Sequence, residues 1–128
     1  PGTGDVYLSL AEKFPLSGVV MVSTPQSLSV IDVMKSIDCF QKLNIPILGL
    51  IQNMSYLQNG SDKHYLFGKD GAKDLAAKMK IDFWGDVPIS QDIAGSTESK
   101  TPFMLKKAQS DIADNFSKIT NVLRKFCC

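Results

Sequence analysis

The sequence predicts an α/β fold in which helices cover a small, partial parallel sheet. Residues 18–23 and 45–52 are apolar runs without the polar alternation of a half-exposed strand, which favours parallel strands that are covered on both faces. Between them, apolar residues recur at steps of three and four over 28–43, the period of an amphipathic helix. A strand, a helix and a strand in this order predict a right-handed parallel crossover.

The composition narrows the classes of partner. The chain has 128 residues, of which 44% are apolar and 21% charged, and its net charge is +1; these values are ordinary for one globular domain. A charge so close to zero gives no argument for nucleic acid or a membrane surface as a partner. No apolar run reaches the roughly 18 residues that suggest a membrane helix. We therefore expect neither nucleic-acid binding nor a membrane span.

The cysteines point to a reducing compartment. Cys39, Cys127 and Cys128 show neither a disulfide framework nor the spacing of metal ligands. Cys39 falls inside the helical pattern and is expected to be a small core residue. The adjacent pair ends the chain and lacks the second pair that a four-thiolate metal site needs.

Residues that begin and end helices punctuate the first half of the chain. Asp5 can cap a short first helix, and Ser27 is the expected N-cap of the second. Asn44 is expected to close that second helix. In chain order we predict a helix, a strand, a helix and a strand over 5–14, 18–23, 28–43 and 45–52.

The second half of the chain is more mixed. Residues 54–68 predict a loop with its turn at Asn59–Gly60. Residues 91–101 are polar and irregular, and they predict at most one short helical turn. An apolar stripe that begins at Leu105 predicts a long final helix. The remaining predicted elements are a helix over 70–79, a strand over 81–85 and that final helix over 105–126.

Polar residues end the buried run 45–52 at the edge where parallel sheets bind their ligands. Gln52, Asn53 and Ser55 lie at its carboxyl end, and ligands of open parallel sheets bind beyond the carboxyl ends of the strands. These residues are therefore candidate ligand contacts. The alternative is that Asn53 only forms a turn, a common role of asparagine, and this stretch alone does not decide between the two.

Several short motifs stand in an order and at spacings close to those of one known family. They are Pro1-Gly-Thr-Gly-Asp-Val6, Ser23-Thr-Pro-Gln26, Ile31-Asp32, Leu48-Gly-Leu-Ile-Gln-Asn-Met-Ser55, Phe67-Gly68, Gly71-Ala72 and Gly85-Asp-Val-Pro88. Together they resemble the C-terminal half of the Mrp-like P-loop ATPases, which are iron–sulfur cluster carriers of the MinD/ParA-like class. The resemblance extends through about Thr101, and the Gln-Asn-Met-Ser form is most similar to mitochondrial members that supply clusters to respiratory complex I.

The resemblance implies a partial doubly wound parallel sheet of the P-loop NTPase type. Residues 1–128 would be the C-terminal part of a single domain, with helix 105–126 packed at its end. In the family, the N-terminal strands and the Walker A loop precede this part. Pro1-Gly-Thr-Gly is turn chemistry with no strand in front of it, which indicates a longer protein. Because phosphoryl transfer needs the Walker A groups and Mg²⁺, we expect that this chain alone does not hydrolyse ATP.

The resemblance also implies roles for five residues. Gly2 would lie in the switch segment, where its backbone N–H senses the γ-phosphate, and Asp5 would order the attacking water or stabilise that turn. Asn53 would hydrogen-bond the edge of adenine through its amide, which can donate and accept. Val87 and Pro88 would pack against the adenine ring.

The implied ligands and partners are those of a cluster-assembly ATPase. They are ATP and ADP, with Mg²⁺ held by residues outside this chain, a second copy in a full-length homodimer, and iron–sulfur client or assembly proteins. The implied location is the mitochondrial matrix, with the cytosol as the alternative.

The loop that carries the cluster ligands in the family departs from the pattern. Family members hold a [4Fe–4S] cluster between two subunits through a Cys-Pro-x-Cys pair, whereas residues 56–67 contain no cysteine here. A single loop histidine, His64, is expected to be a surface residue rather than a metal ligand. Two hypotheses follow: a carrier or scaffold ATPase of cluster assembly, or a non-catalytic nucleotide-binding or scaffold relative that has lost the cysteine pair.

Overall fold

The computed structural model describes residues 5–106 and 110–127, except for the side chains of Asp5 and Tyr7. Within these ranges, helices and strands alternate along most of the chain. The elements are α1 (Asp5–Lys13), β1 (Val19–Ser23), α2 (Ser27–Lys42), β2 (Ile47–Gln52), β3 (Leu57–Asn59), β4 (Asp62–His64), α3 (Gly71–Met79), β5 (Phe83–Asp86), α4 (Gln91–Glu98), α5 (Phe103–Lys106) and α6 (Asp111–Leu123).

The main sheet is parallel and has β2 at its centre. Its strand order is β1-β2-β5, and Leu50 of β2 lies opposite Met21 of β1 and Phe83 of β5. Leu50 is fully buried, which explains why the run that forms β2 has no polar alternation. The predicted α/β class with a parallel sheet is confirmed.

The two faces of the sheet are covered differently. On one face, α2 and α3 pack against β1 and β2 through one buried cluster. Phe83 packs against that cluster, whereas the next residue, Trp84, stacks on Phe126 with the ring centroids 5.7 Å apart. Successive residues of a strand point to opposite faces, so Phe126, which follows α6, lies on the second face at β5. The cluster consists of Met21, Ile37, Phe40, Leu50, Ala72, Leu75 and Ala76.

One prediction about helix ends was wrong and two were confirmed. Ser27 is the first residue of α2 rather than its N-cap; the cap is Gln26, whose side chain makes no capping hydrogen bond. Asn44 follows α2 with φ = 57°, so the predicted closure at this residue is confirmed. The first helix also ends within one residue of its predicted end, whereas the cap at Asp5 stays a prediction because residues 1–4 lie outside the described ranges. Within α2, Cys39 is only half-buried.

The predicted single helix over 105–126 was wrong. Ser110 is extended, with φ = −135°, and its hydroxyl accepts a hydrogen bond from the Ala113 N–H at 3.2 Å. This bond caps α6 and therefore starts a new helix. Leu105, the expected beginning of the apolar stripe, belongs to the short α5 and is 78% exposed.

Two short elements were missed by the sequence-based prediction. The loop over 54–68 contains the antiparallel hairpin β3–β4; its turn lies next to Asn59, with Gly60 at φ = +60°, close to the predicted position. Residues 91–98 form α4, because the Ser90 hydroxyl accepts a hydrogen bond from the Asp92 N–H at 3.1 Å.

A close approach between β2 and β5 requires glycine at position 49. A Cβ added to Gly49 would overlap the indole nitrogen of Trp84. Because both residues belong to the paired strands of the sheet, neither can move away freely. We predict that Gly49→Ala lowers the free energy of unfolding by about 1–3 kcal/mol, the usual cost of overpacking, in chemical denaturation.

Gly95 of α4 provides the matched control for this substitution. A Cβ at Gly95 meets no atom within 4 Å, so Gly95→Ala is expected to leave stability unchanged or to raise it slightly through the unfolded state. Equal effects of the two substitutions would contradict the packing argument.

Strand β1 is an outer strand of the sheet and has an exposed apolar residue. Val22 is 53% exposed, and an open groove of about 580 Å³ lies beside β1, lined by residues that include Leu10 and Val33. An unpaired, apolar strand edge promotes association. We predict that the 128-residue chain by itself associates as its concentration rises, as measured by sedimentation velocity.

A charge at the strand edge tests this prediction. Val22→Lys should reduce association, because lysine at an edge opposes pairing with another strand. Leu105→Lys, at an exposed position of α5, changes charge and hydropathy in the same way away from the edge. If the chain stays monomeric at all concentrations, the edge of β1 does not promote association and the prediction is wrong.

Candidate functional site

The carboxyl ends of the three parallel strands are joined by backbone hydrogen bonds. The Asn53 N–H donates to the Ser23 carbonyl at 2.7 Å, and the Val87 N–H donates to the Gln52 carbonyl at 2.8 Å. The Ser55 N–H in turn donates to the Val87 carbonyl at 3.0 Å. Residues 53–55 and 87–88 therefore lie side by side beyond β2 and β5, and we refer to these two segments as the rim.

One local hydrogen bond orients the amide of Asn53 at the rim. Its Oδ1 accepts a hydrogen bond from the Met54 N–H at 2.9 Å. A backbone N–H can only donate, so the atom that faces it must be the oxygen. Among the described residues, Nδ2 has no hydrogen-bond partner. Asn53 thus forms a local turn through its oxygen, which is the alternative interpretation of this residue, and its contact with a ligand through Nδ2 stays a prediction.

Val87 and Pro88 form a buried part of the rim. Val87 is 7% exposed and Pro88 is also buried. The segment is held further by the Ile89 N–H, which donates to the Tyr56 carbonyl at 2.7 Å. A ring that packs on Val87 and Pro88 would therefore use only a small part of their side-chain surface, with their neighbours as a rigid support.

A buried polar network lies directly beneath the rim. Gln52 is only 1% exposed; its Oε1 accepts from the Ala72 N–H at 3.0 Å, and its Nε2 lies 3.1 Å from Asp86 Oδ1 and 3.2 Å from Ser55 Oγ. The Ser55 hydroxyl can donate its single proton to Asp86 Oδ1 or to the backbone carbonyl oxygen of Gln52, each 2.9 Å away. Gln52 and Ser55 are buried supports rather than the ligand contacts that their positions suggested.

The start of α3 packs closely against the residues that follow β1. A Cβ at Gly71 would overlap the carbonyl oxygen of Pro25, so only glycine permits this approach. Asp70, the N-cap, has φ = 59° and makes no side-chain capping bond. The Ala72 N–H, one of the free donors of the helix start, is satisfied by Gln52 instead. The rim, α3 and the end of β1 are thus one connected unit.

Three of the five predicted site residues meet in this unit. Asn53, Val87 and Pro88 lie together at the rim. Gly2 lies outside the described residues. Asp5 is the first residue of α1, but its side chain is not described, so the roles of Gly2 and Asp5 remain predictions.

The described ranges offer no ready metal site. Over residues 5–106 and 110–127, no group of three or more His, Cys, Asp or Glu side chains is placed to hold a metal ion. His64 lies on the exposed strand β4, and Cys127 is exposed. In the same part of the chain, no helix is both long and apolar enough to cross a bilayer.

Comparison with known proteins identifies the family. The family model described as "ParA: NUBPL iron-transfer P-loop NTPase" matches residues 1–124. The chain belongs to this family. The resemblance to Mrp-like P-loop ATPases and the P-loop NTPase type of fold are therefore confirmed.

Comparison with two relatives shows what share of their length this chain spans. The chain is 40% identical to the iron-sulfur cluster transfer protein NUBPL of Dictyostelium discoideum, covering 98% of this chain and 39% of that protein. It is 35% identical to the Arabidopsis thaliana iron-sulfur protein required for NADH dehydrogenase, mitochondrial, covering 98% and 43%. The chain thus spans about two fifths of these relatives.

One similar solved structure is a nucleotide-binding protein from Archaeoglobus fulgidus in complex with ADP. It is 32% identical to this chain, with a TM-score of 0.71, and the match covers 88% of this chain and 46% of that protein. The parallel sheet and its helices are therefore shared with a protein that binds a nucleotide.

Proposed function

We propose that this chain is the adenine-binding part of an ATP-binding protein of iron–sulfur cluster assembly. The observation that carries the proposal is the rim, where the amide of Asn53 lies beside Val87 and Pro88 at the carboxyl ends of parallel strands and its Nδ2 is available to donate. Ligands bind at this edge of open parallel sheets. Membership of the NUBPL family and the ADP complex of the Archaeoglobus fulgidus relative support it.

The chemistry of the rim suits the edge of a purine. Asn53 Nδ2 can donate to a ring nitrogen, and its Oδ1 keeps a second lone pair after accepting from the Met54 N–H. The buried Val87 and Pro88 present a small, rigid apolar surface. Such a surface excludes water from a hydrogen bond that would otherwise exchange with solvent.

ATP hydrolysis requires residues beyond these 128. Phosphoryl transfer depends on a glycine-rich loop, a lysine and Mg²⁺ to neutralise charge on the phosphates, and the sequence contains no Walker A motif. We infer that the chain acts within a longer protein that forms a homodimer. There, the backbone N–H of Gly2 would sense the γ-phosphate and Asp5 would order the attacking water.

An iron–sulfur cluster would be the cargo of such a protein, and the residues of the hairpin region, 54–68, do not fit it. This region contains no cysteine, whereas [4Fe–4S] clusters are held by cysteine thiolates. This observation favours the second candidate function: a non-catalytic nucleotide-binding or scaffold relative that acts on client or assembly proteins by contact.

The mitochondrial matrix is the proposed location of the protein. The mitochondrial relative from Arabidopsis thaliana supports it. The cytosol is the alternative, since the cysteines of the chain indicate only a reducing compartment.

Substitution of the rim amide tests adenine binding. In the full-length protein, Asn53→Ala should weaken ADP binding by about 1–3 kcal/mol, the scale of one hydrogen bond to a desolvated group, in isothermal titration calorimetry. Asn59→Ala, on the exposed strand β3, removes the same group away from the rim and should leave affinity unchanged. An unaltered dissociation constant for Asn53→Ala would remove Asn53 from the site.

Anaerobic reconstitution with iron and sulfide separates the two candidate functions. A cluster absorbance of the full-length protein that disappears on cysteine-to-serine substitution favours the carrier. Intact ADP binding without such absorbance is expected if the protein is a scaffold, because the hairpin region supplies no thiolate.

A further inference from the structure

We propose that Gln52 is a positioning residue that locks the rim to the first turn of α3 through one buried carboxamide. The inference rests on the proposed function only in its consequence for nucleotide affinity. The lock itself concerns the protein's own groups. It assigns a task to a residue whose side chain is 1% exposed and therefore does not reach a ligand.

The two ends of the Gln52 amide face partners of opposite kind. The Ala72 N–H can only donate and lies 3.0 Å from Oε1, whereas the carboxylate of Asp86 lies 3.1 Å from Nε2 and is an acceptor when ionised. Reversal of the amide would place donor against donor and acceptor against acceptor. The side chain therefore has one stable orientation. In that orientation it holds the Ala72 N–H and the Asp86 carboxylate in place.

Each partner of Gln52 belongs to a different element of the site. Ala72 is the second residue of α3, Asp86 ends β5, and Ser55 belongs to the rim. Without the carboxamide, the Ala72 N–H would lose its partner, at the cost of its desolvation. Asp86 Oδ1 and Ser55 Oγ would each lose one hydrogen bond and keep the one that joins them. Loss of Gln52 should therefore loosen the segment that carries Asn53 as well as α3.

A simpler role for Gln52 predicts a different result. If its side chain only accepted the hydrogen bond at the start of α3, its loss would leave the Ala72 N–H without a partner, and the backbone hydrogen bonds of the rim would stay intact. The backbone bonds of Asn53, Ser55 and Val87 do not involve the Gln52 side chain. Whether these three backbone bonds weaken when the Gln52 side chain is changed therefore distinguishes a lock between two elements from a helix cap.

The test is amide hydrogen exchange of the full-length protein without nucleotide. Gln52→Glu keeps the acceptor for Ala72 but sets a carboxylate against that of Asp86. Because repulsion from Asp86 also displaces the introduced carboxylate from the Ala72 N–H, we expect exchange about tenfold faster at Ala72 and also at Asn53, Ser55 and Val87, the fold-change that corresponds to one lost hydrogen bond. Gln58→Glu makes the same charge change on the exposed strand β3 and removes only a bond to the Gly60 carbonyl in the hairpin turn, so exchange at these four positions should stay at the wild-type rate.

A donor–acceptor swap provides the rescue. In Gln52→Glu combined with Asp86→Asn, the introduced amide donates to the introduced carboxylate, so exchange at all four positions should return to within about threefold of wild type, because the buried hydrogen bond is remade. If Gln52→Glu alone does not fold, recovery of a folded, slowly exchanging protein in the double variant gives the same answer.

Three results would overturn the inference. They are acceleration at Ala72 alone, wild-type exchange in Gln52→Glu, and a double variant that is unfolded or no slower in exchange than the single one.

ADP affinity of the same variants separates this inference from the proposed function. We expect Gln52→Glu to weaken ADP binding about tenfold, since it disorders the rim by the loss of a buried hydrogen bond, and the swap to restore it. If the wild-type protein does not bind ADP while the exchange results hold, the proposed function fails and the lock stands. If ADP binds equally to all variants, Gln52 does not position the nucleotide site and the inference fails in that respect.

Discussion

The pairing of β2 with both of its neighbours, up to their last residues, is the constraint that shapes the site. β2 can pair on both sides because it is apolar enough to be buried on both faces, with Leu50 at its centre. Its last residue, Gln52, is polar but equally buried. A buried amide must find partners, and here it finds them in β5 and α3. One strand therefore sets both the core and the position of the rim.

The hairpin region is ordered by contacts of its own instead of cluster ligands. Lys63 Nζ lies 4.2 Å from the centroid of the Tyr56 ring, a cation–π distance, and the rings of Tyr56 and Tyr65 meet edge to face at 6.3 Å. Leu57 bridges to Ile89 beyond the rim. The hairpin is thus tied to the segment that follows Val87.

Hydrophobic periodicity predicted the helices and strands that are buried. It did not predict the elements whose formation or ends depend on local hydrogen bonds. The strand at β2 followed from an unbroken apolar run, and α2 from a helical period. The hairpin β3–β4 is short and almost wholly exposed, so it has no apolar pattern to detect. The break before α6 depends on one hydroxyl, that of Ser110. Asn53 could be found from its place after a buried strand, but the network of Gln52 joins residues 20 and 34 positions away, which only the fold brings together.

A crystal structure of the full-length protein with ADP would show directly whether the rim holds adenine. We expect the purine ring to lie at the rim, with a ring nitrogen within hydrogen-bond distance of Asn53 Nδ2 and one ring face or edge against Val87 and Pro88. A purine bound elsewhere, with Asn53 Nδ2 facing solvent, would refute adenine binding at this site.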